Sequence, residues 1–148
     1  PLLAVLNFAI SLDLYFLMYT NIPEPSLTTS MPSEFEKYFF DKVNRCITDI
    51  GKRMLKDVFM EFSNNRNNMN YTQFQNLFLK ANPTQPVPMN EDIFTDMHPT
   101  KTVSLENFQK LYEIGLLENY EEALKSIKSE FNNLNVDINF YINENYTP

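Results

Sequence analysis

Two side chains stand alone in this sequence and would have to start any nucleophilic or metal chemistry in it. They are Cys46 and His98, the single cysteine and the single histidine. A thiol beside an imidazole is the minimal nucleophile–base pair. Neither residue sits in a local signature of such an enzyme, and Cys46 falls within an apolar stripe of helical spacing, where a buried structural thiol is the plainer reading. His98 precedes Pro99 in a loop. One imidazole is not a zinc site, which draws three or four nitrogen or sulfur ligands. Glu113, Glu118 and the pair Glu121-Glu122 lie on helical surface turns and read as a solvated face. With no convergent set of polar residues, we expect no enzyme and no catalytic residues.

Two further patterns carry chemistry elsewhere. Asn70-Tyr71-Thr72 and Asn145-Tyr146-Thr147 match the glycosylation acceptor pattern, but asparagine is abundant here and such matches arise by chance. Met54, Met60, Met69, Met89 and Met97 are clustered in the middle of the chain. Ordinary core packing accounts for most of them, and a pliable methionine-lined groove is the functional alternative.

The elements that must position these residues follow from composition and periodicity. The chain has 148 residues, 43% of them hydrophobic, enough for one ordinary domain with a core. Only Gly51 and Gly115 are glycine. Phosphate-cradling loops and tight β-turns lean on glycine, so helices joined by Asn- and Pro-rich loops are expected. The net charge of −7 is spread along the chain and gives no basic field for nucleic acid. One cysteine allows no internal disulfide, which fits an intracellular, reducing compartment best.

Residues 1–22 are a hydrophobic segment. Within it, residues 2–20 read LLAVLNFAISLDLYFLMYT, close to the ~20 residues of a membrane-spanning helix. The lack of a basic start and of a small-residue cleavage site argues against a signal peptide. Insertion in a membrane, as in an organellar membrane complex, and burial against protein are the two readings of this segment. A proline-rich linker, 23–33, follows. Ser33-x-x-Glu36 has the capping-box pattern. Phe35, Phe39, Val43, Ile47 and Ile50 then predict a helix over 34–50. Further helices are predicted at 52–62, 71–80, 89–97, 104–114 and 117–134, with breaks at Gly51 and Gly115. Residues 135–148 show no period and read as a polar, aromatic tail.

Two segments, 55–81 and 90–115, look alike. Each has an apolar residue after a polar loop, Met69 or Val103. Each then opens a helix on a shared string, Phe74-Gln75-Asn76-Leu77-Phe78 or Phe108-Gln109-Lys110-Leu111-Tyr112. This resembles the EF-hand, or calmodulin-like, superfamily. The resemblance implies paired helix–loop–helix units, with Met69 and Val103 facing each other across the pair. A calcium loop of that family supplies oxygen ligands at its first, third and fifth positions, a glycine at the sixth and a bidentate Glu at the twelfth. The first loop, Ser63 to Gln73, is one residue short. It offers Ser63, Asn65, Asn67 and Gln73 and holds no carboxylate. The second, Asp96 to Asn107, has the family length. Its candidate ligands are Asp96, His98, Thr100, Ser104 and Asn107, and Lys101 stands at the glycine position. Asp96 is the single carboxylate at a ligand position, so we expect no calcium binding at cellular levels. Asparagines that tolerate left-handed turns, and Arg66 or Lys101 in place of part of the ion's charge, would keep the loops folded.

The expectation is an all-α domain over 34–134 built on a degenerate EF-hand-like pair with no cofactor. Its function would be non-catalytic: a calcium-independent structural or adaptor subunit of a multi-subunit protein assembly. The contact surfaces would be residues 2–20, the groove between the units, and the aromatic pair Phe140 and Tyr141. The alternative is a regulatory calcium-binding protein with one atypical site in the second loop.

Overall fold

A computed structural model describes residues 33–87 and 89–144. The hydrophobic segment 1–22, all of the linker except Ser33, and the second acceptor pattern at Asn145 lie outside the described residues.

The first helix, α1, covers Ser33–Phe39. Glu34 and Glu36 lie in its first turn and Lys37 in its last, matching the helix dipole. The predicted helix over 34–50 stops here. Phe40–Asp41 (β1) pairs antiparallel with Cys46–Ile47 (β2). Asp41 is the cause. One carboxylate oxygen accepts the N–H groups of Val43 (2.9 Å) and Asn44 (3.0 Å), and the other accepts the Asn44 side chain (2.7 Å). Side-chain bonds of this kind offer the backbone an alternative to helix. Arg45 completes the turn at φ 55°. Val43, read as part of the apolar stripe, is 91% exposed. Cys46 is therefore a half-buried strand residue rather than a buried helical one.

The second helix, α2, runs from Asp49 to Phe62. Thr48 caps it, its hydroxyl oxygen accepting from Gly51 N–H at 3.0 Å. Gly51 lies inside the first turn and does not break the helix. A Cβ there would sit 2.7 Å from both Ile47 Cγ2 and the Phe39 carbonyl oxygen. Close approach of the preceding hairpin requires this glycine.

After a loop, Asn68–Asn70 (β3) leads into α3, Tyr71–Ala81. Asn70 and Gln73 form a reciprocal capping box, both bonds 2.9 Å. Helix α4, Glu91–Met97, is capped by Asn90. Thr102–Ser104 (β4) leads into α5, Leu105–Glu118, capped by Ser104. Helix α5 runs through Gly115, which is buried beside Leu116. The predicted break falls instead at Asn119, after which α6 covers Tyr120–Asn133. The last segment is also corrected: Ile138–Glu144 forms a short helix, α7, where a periodless tail was predicted.

The described chain is mainly helical, with two short two-stranded pairs. One core cluster joins its elements. Phe35 and Phe39 of α1 meet Phe131 of α6 edge-on at 6.1 and 5.6 Å between ring centroids, while Phe59 of α2 meets Phe108 of α5 at 5.2 Å. Such pairs add to the area they bury.

Candidate functional site

The two loops that could hold an ion lie side by side. Strand β3 pairs antiparallel with β4, placing Asn68 opposite Ser104, Met69 opposite Val103 and Asn70 opposite Thr102. Met69 and Val103 are both buried in the core. Leu105 N–H extends the pairing to the Asn67 carbonyl at 3.2 Å.

In the first loop the side chains of two candidates, Ser63 and Gln73, are engaged by the protein itself. Ser63 is fully buried and terminates α2, its N–H reaching the Phe59 carbonyl at 2.8 Å. Its hydroxyl donates to the Arg66 carbonyl at 2.7 Å. Asn64 and Asn65 take left-handed backbone, φ 56° and 60°, which asparagine tolerates. Asn65 N–H closes the turn on the Met60 carbonyl at 2.8 Å. Gln73 is held by the Asn70 capping box. No carboxylate enters the loop, and this donor set does not fit calcium.

The second loop disperses its candidates. Asp96 is exposed on α4. The His98 ring is buried and lies 4.8 Å from the Phe94 ring, with burial holding its pKa below the usual imidazole value. Lys101, at φ 62°, supplies the left-handed turn, and its N–H bonds the His98 carbonyl at 2.7 Å. The Thr100 hydroxyl donates to the Thr102 carbonyl at 3.2 Å. Ser104 accepts the Asn107 N–H at 3.2 Å as the cap of α5, and the Asn107 side chain is exposed. Arg66 and Lys101 are both exposed, and what Lys101 supplies to its loop is backbone geometry. Among the described residues, no three of His, Cys, Asp and Glu form a metal-binding group.

Beneath the loops an apolar groove opens between α3, α4 and α5. Its walls are the buried Leu77, Phe78 and Met97 and the half-buried Phe74, Met89 and Leu111, around a cavity of about 70 Å³. The hydroxyl of Tyr71 donates to the Met89 carbonyl at 3.0 Å, just before the cap of α4. Of the five clustered methionines, Met54 and Met69 are wholly buried in the core, while Met89 and Met97 line the groove.

Sequence reasoning missed the groove's polar floor. His98 and Glu130 both line it. Glu130 is buried on α6, and Tyr112 donates its hydroxyl to Glu130 Oε2 at 2.9 Å. The signal was present in the sequence: Ala123, Ile127, Glu130 and Leu134 recur at helical spacing, so the glutamate falls on the inward face. Cys46 is not among the groove's lining residues. Glu113, read as solvated, is half-buried and accepts the Ile47 N–H at 3.4 Å.

The aromatic pair near the end divides. Phe140 is 57% exposed. Tyr141 is buried and donates its hydroxyl to Asp57 Oδ2 at 2.7 Å, latching α7 onto α2. Of the two, only Phe140 is available for contact with another molecule.

These elements define a mainly helical protein in which two helix–loop–helix units share a three-residue antiparallel pairing above an apolar groove. Comparison of the chain with protein-family models, curated proteins and solved structures gives no match.

Proposed function

We propose that α2–α3 and α4–α5 are a degenerate EF-hand-like pair that serves as a calcium-independent contact module, and that the chain is a non-catalytic structural or adaptor subunit of a larger protein assembly. The observation that carries this reading is the closure of the first loop by its own hydrogen bonds. The Ser63 hydroxyl, the Asn65 backbone and the Asn70–Gln73 capping box all bond within the chain, which supports a loop held by its own contacts. The register of Met69 on Val103 supports the pairing of the two units. The working surface is then the groove, whose methionine-lined walls suit an apolar side chain of a partner.

Size measurement on the protein purified from its native source tests this. Recovery in an assembly of fixed stoichiometry, unchanged by a calcium chelator and lost on Leu111→Glu, is the expected result. Recovery as a free monomer contradicts a scaffold role.

One observation favours calcium at the second loop: Asp96 is exposed at its start, and Lys101 takes a left-handed conformation at the turn position. A single carboxylate gives such a site low affinity. Titration with calcium separates the two readings.

A further inference from the structure

We propose that the groove is a binding site for one lysine side chain of a partner protein, its apolar stem lying against Phe74, Met89 and Leu111 and its ammonium meeting the Glu130 carboxylate. This rests on the reading of the groove as the contact surface and specifies the side chain it receives.

The cavity sets the scale of the ligand. A water needs ~10–15 Å³ of such space, so a cavity of about 70 Å³ holds roughly five to seven groups of that size. Lysine carries its ammonium on a flexible four-carbon stem, which matches that room. The half-buried lining residues, Phe74, Met89, Leu111 and Tyr112, mark where the groove meets solvent. His98 and Glu130 are buried at its floor.

The lining selects a cation. Glu130 is 3% exposed, and its Oε2 accepts the Tyr112 hydroxyl. Folding has already taken this carboxylate out of water and fixed it in place, so binding bears only the desolvation of the arriving ammonium. Attraction between opposite charges is also stronger in such a site than in water. Phe74, Phe78, Phe94, Phe108 and Tyr112 line the same space, and a cation is drawn to aromatic faces within about 6 Å. Among the described residues, no Lys or Arg lines the groove. His98 does line it, and burial holds its pKa down, so near neutral pH the imidazole brings no competing charge. The net charge of −7 favours the approach of a positive partner.

Lysine suits this floor better than arginine. The planar guanidinium fork matches both oxygens of a carboxylate, whereas an ammonium is a point charge. Tyr112 already engages Oε2, which works against a bidentate fork.

NMR titration of the isotope-labelled full chain tests this. A blocked glycine–lysine–glycine peptide is compared with peptides carrying norleucine or arginine at the central position. Norleucine keeps the stem and drops the charge. The expected result is saturable shifts at the amides of 74–78, 108–112 and 130 with the lysine peptide, and at least tenfold weaker affinity for the other two. The preference for lysine over norleucine should vanish in Glu130→Gln. If that variant fails to fold, the three peptides on the unaltered chain decide alone. Equal affinity for norleucine or for arginine, saturable shifts confined to other surfaces, or no saturable shift would each overturn the proposal. Such a failure is distinct from failure of the contact module, which is read by the size of the native assembly: norleucine binding as well as lysine leaves the groove an apolar contact surface.

Discussion

Met69 lies directly opposite Val103 in the three-residue pairing that joins the two loops, and both side chains are sealed in the core. The contact ties the two helix–loop–helix units into one structure. Truncating a buried methionine to alanine costs about 2–5 kcal/mol, so Met69→Ala should lower stability to urea by that order. Because the residues touch, Met69→Ala and Val103→Ala should not add. A coupling of about 0.5–3 kcal/mol is expected from the double-mutant cycle, and strict additivity would mean that the units are not joined through this pair.

The two residues stood out in the sequence because each is an apolar residue after a polar loop and before the same following string, while their facing one another was what the family resemblance implied. What escaped reading depends on contacts distant in the chain or on competing bonds. Helicity through Gly115 survives a propensity deficit of about 1 kcal/mol because Gly115 and Leu116 are buried. Helix α7 is too short to stand alone and is held by Tyr141 on Asp57, far away in sequence. At Asp41 a side chain outbids the helix ladder. In the candidate site, the loop ligands were named from the sequence, but their internal bonding was not, and Glu130 was hidden in an apolar stripe.

Gly51→Ala should destabilise the fold although alanine is the better helix former. The gain in propensity is about 0.8–1.0 kcal/mol. Against it stands a methyl group 2.7 Å from Ile47 Cγ2 and the Phe39 carbonyl, and overpacking of that kind costs about 1–3 kcal/mol. A lower midpoint in thermal unfolding is expected. A raised midpoint would show that the hairpin can move aside freely.

His98 should make the fold sensitive to acid. Burial holds its folded pKa below the unfolded value of about 6.5, so the unfolded state binds more protons as pH falls through that window. Its contribution is present above the unfolded pKa and is lost as pH drops towards the folded pKa. Between about pH 7 and 5 the wild-type protein should lose stability more steeply than His98→Gln, as followed by urea midpoints. Parallel curves would mean that the imidazole titrates alike in both states.

Tyr141 should act at the other end of the scale. Burial and the facing Asp57 carboxylate push its hydroxyl above the usual phenol range. A raised folded pKa gives stability that is complete below the unfolded pKa of about 10 and fades as pH rises beyond it. Tyr141→Phe should lose about 1–3 kcal/mol at neutral pH, as expected for a hydrogen bond to a charged group. The same change should flatten the alkaline fall. Equal alkaline slopes in the two proteins would remove α7 from this role.

Calorimetric titration with calcium reaches the ion independence of the paired loops most directly. Closed loops with Asp96 as the one carboxylate at a ligand position predict no saturable heat up to millimolar calcium, and identical urea midpoints with calcium or chelator. A saturable micromolar signal that disappears in Asp96→Ala would contradict this and make the second loop a working calcium site.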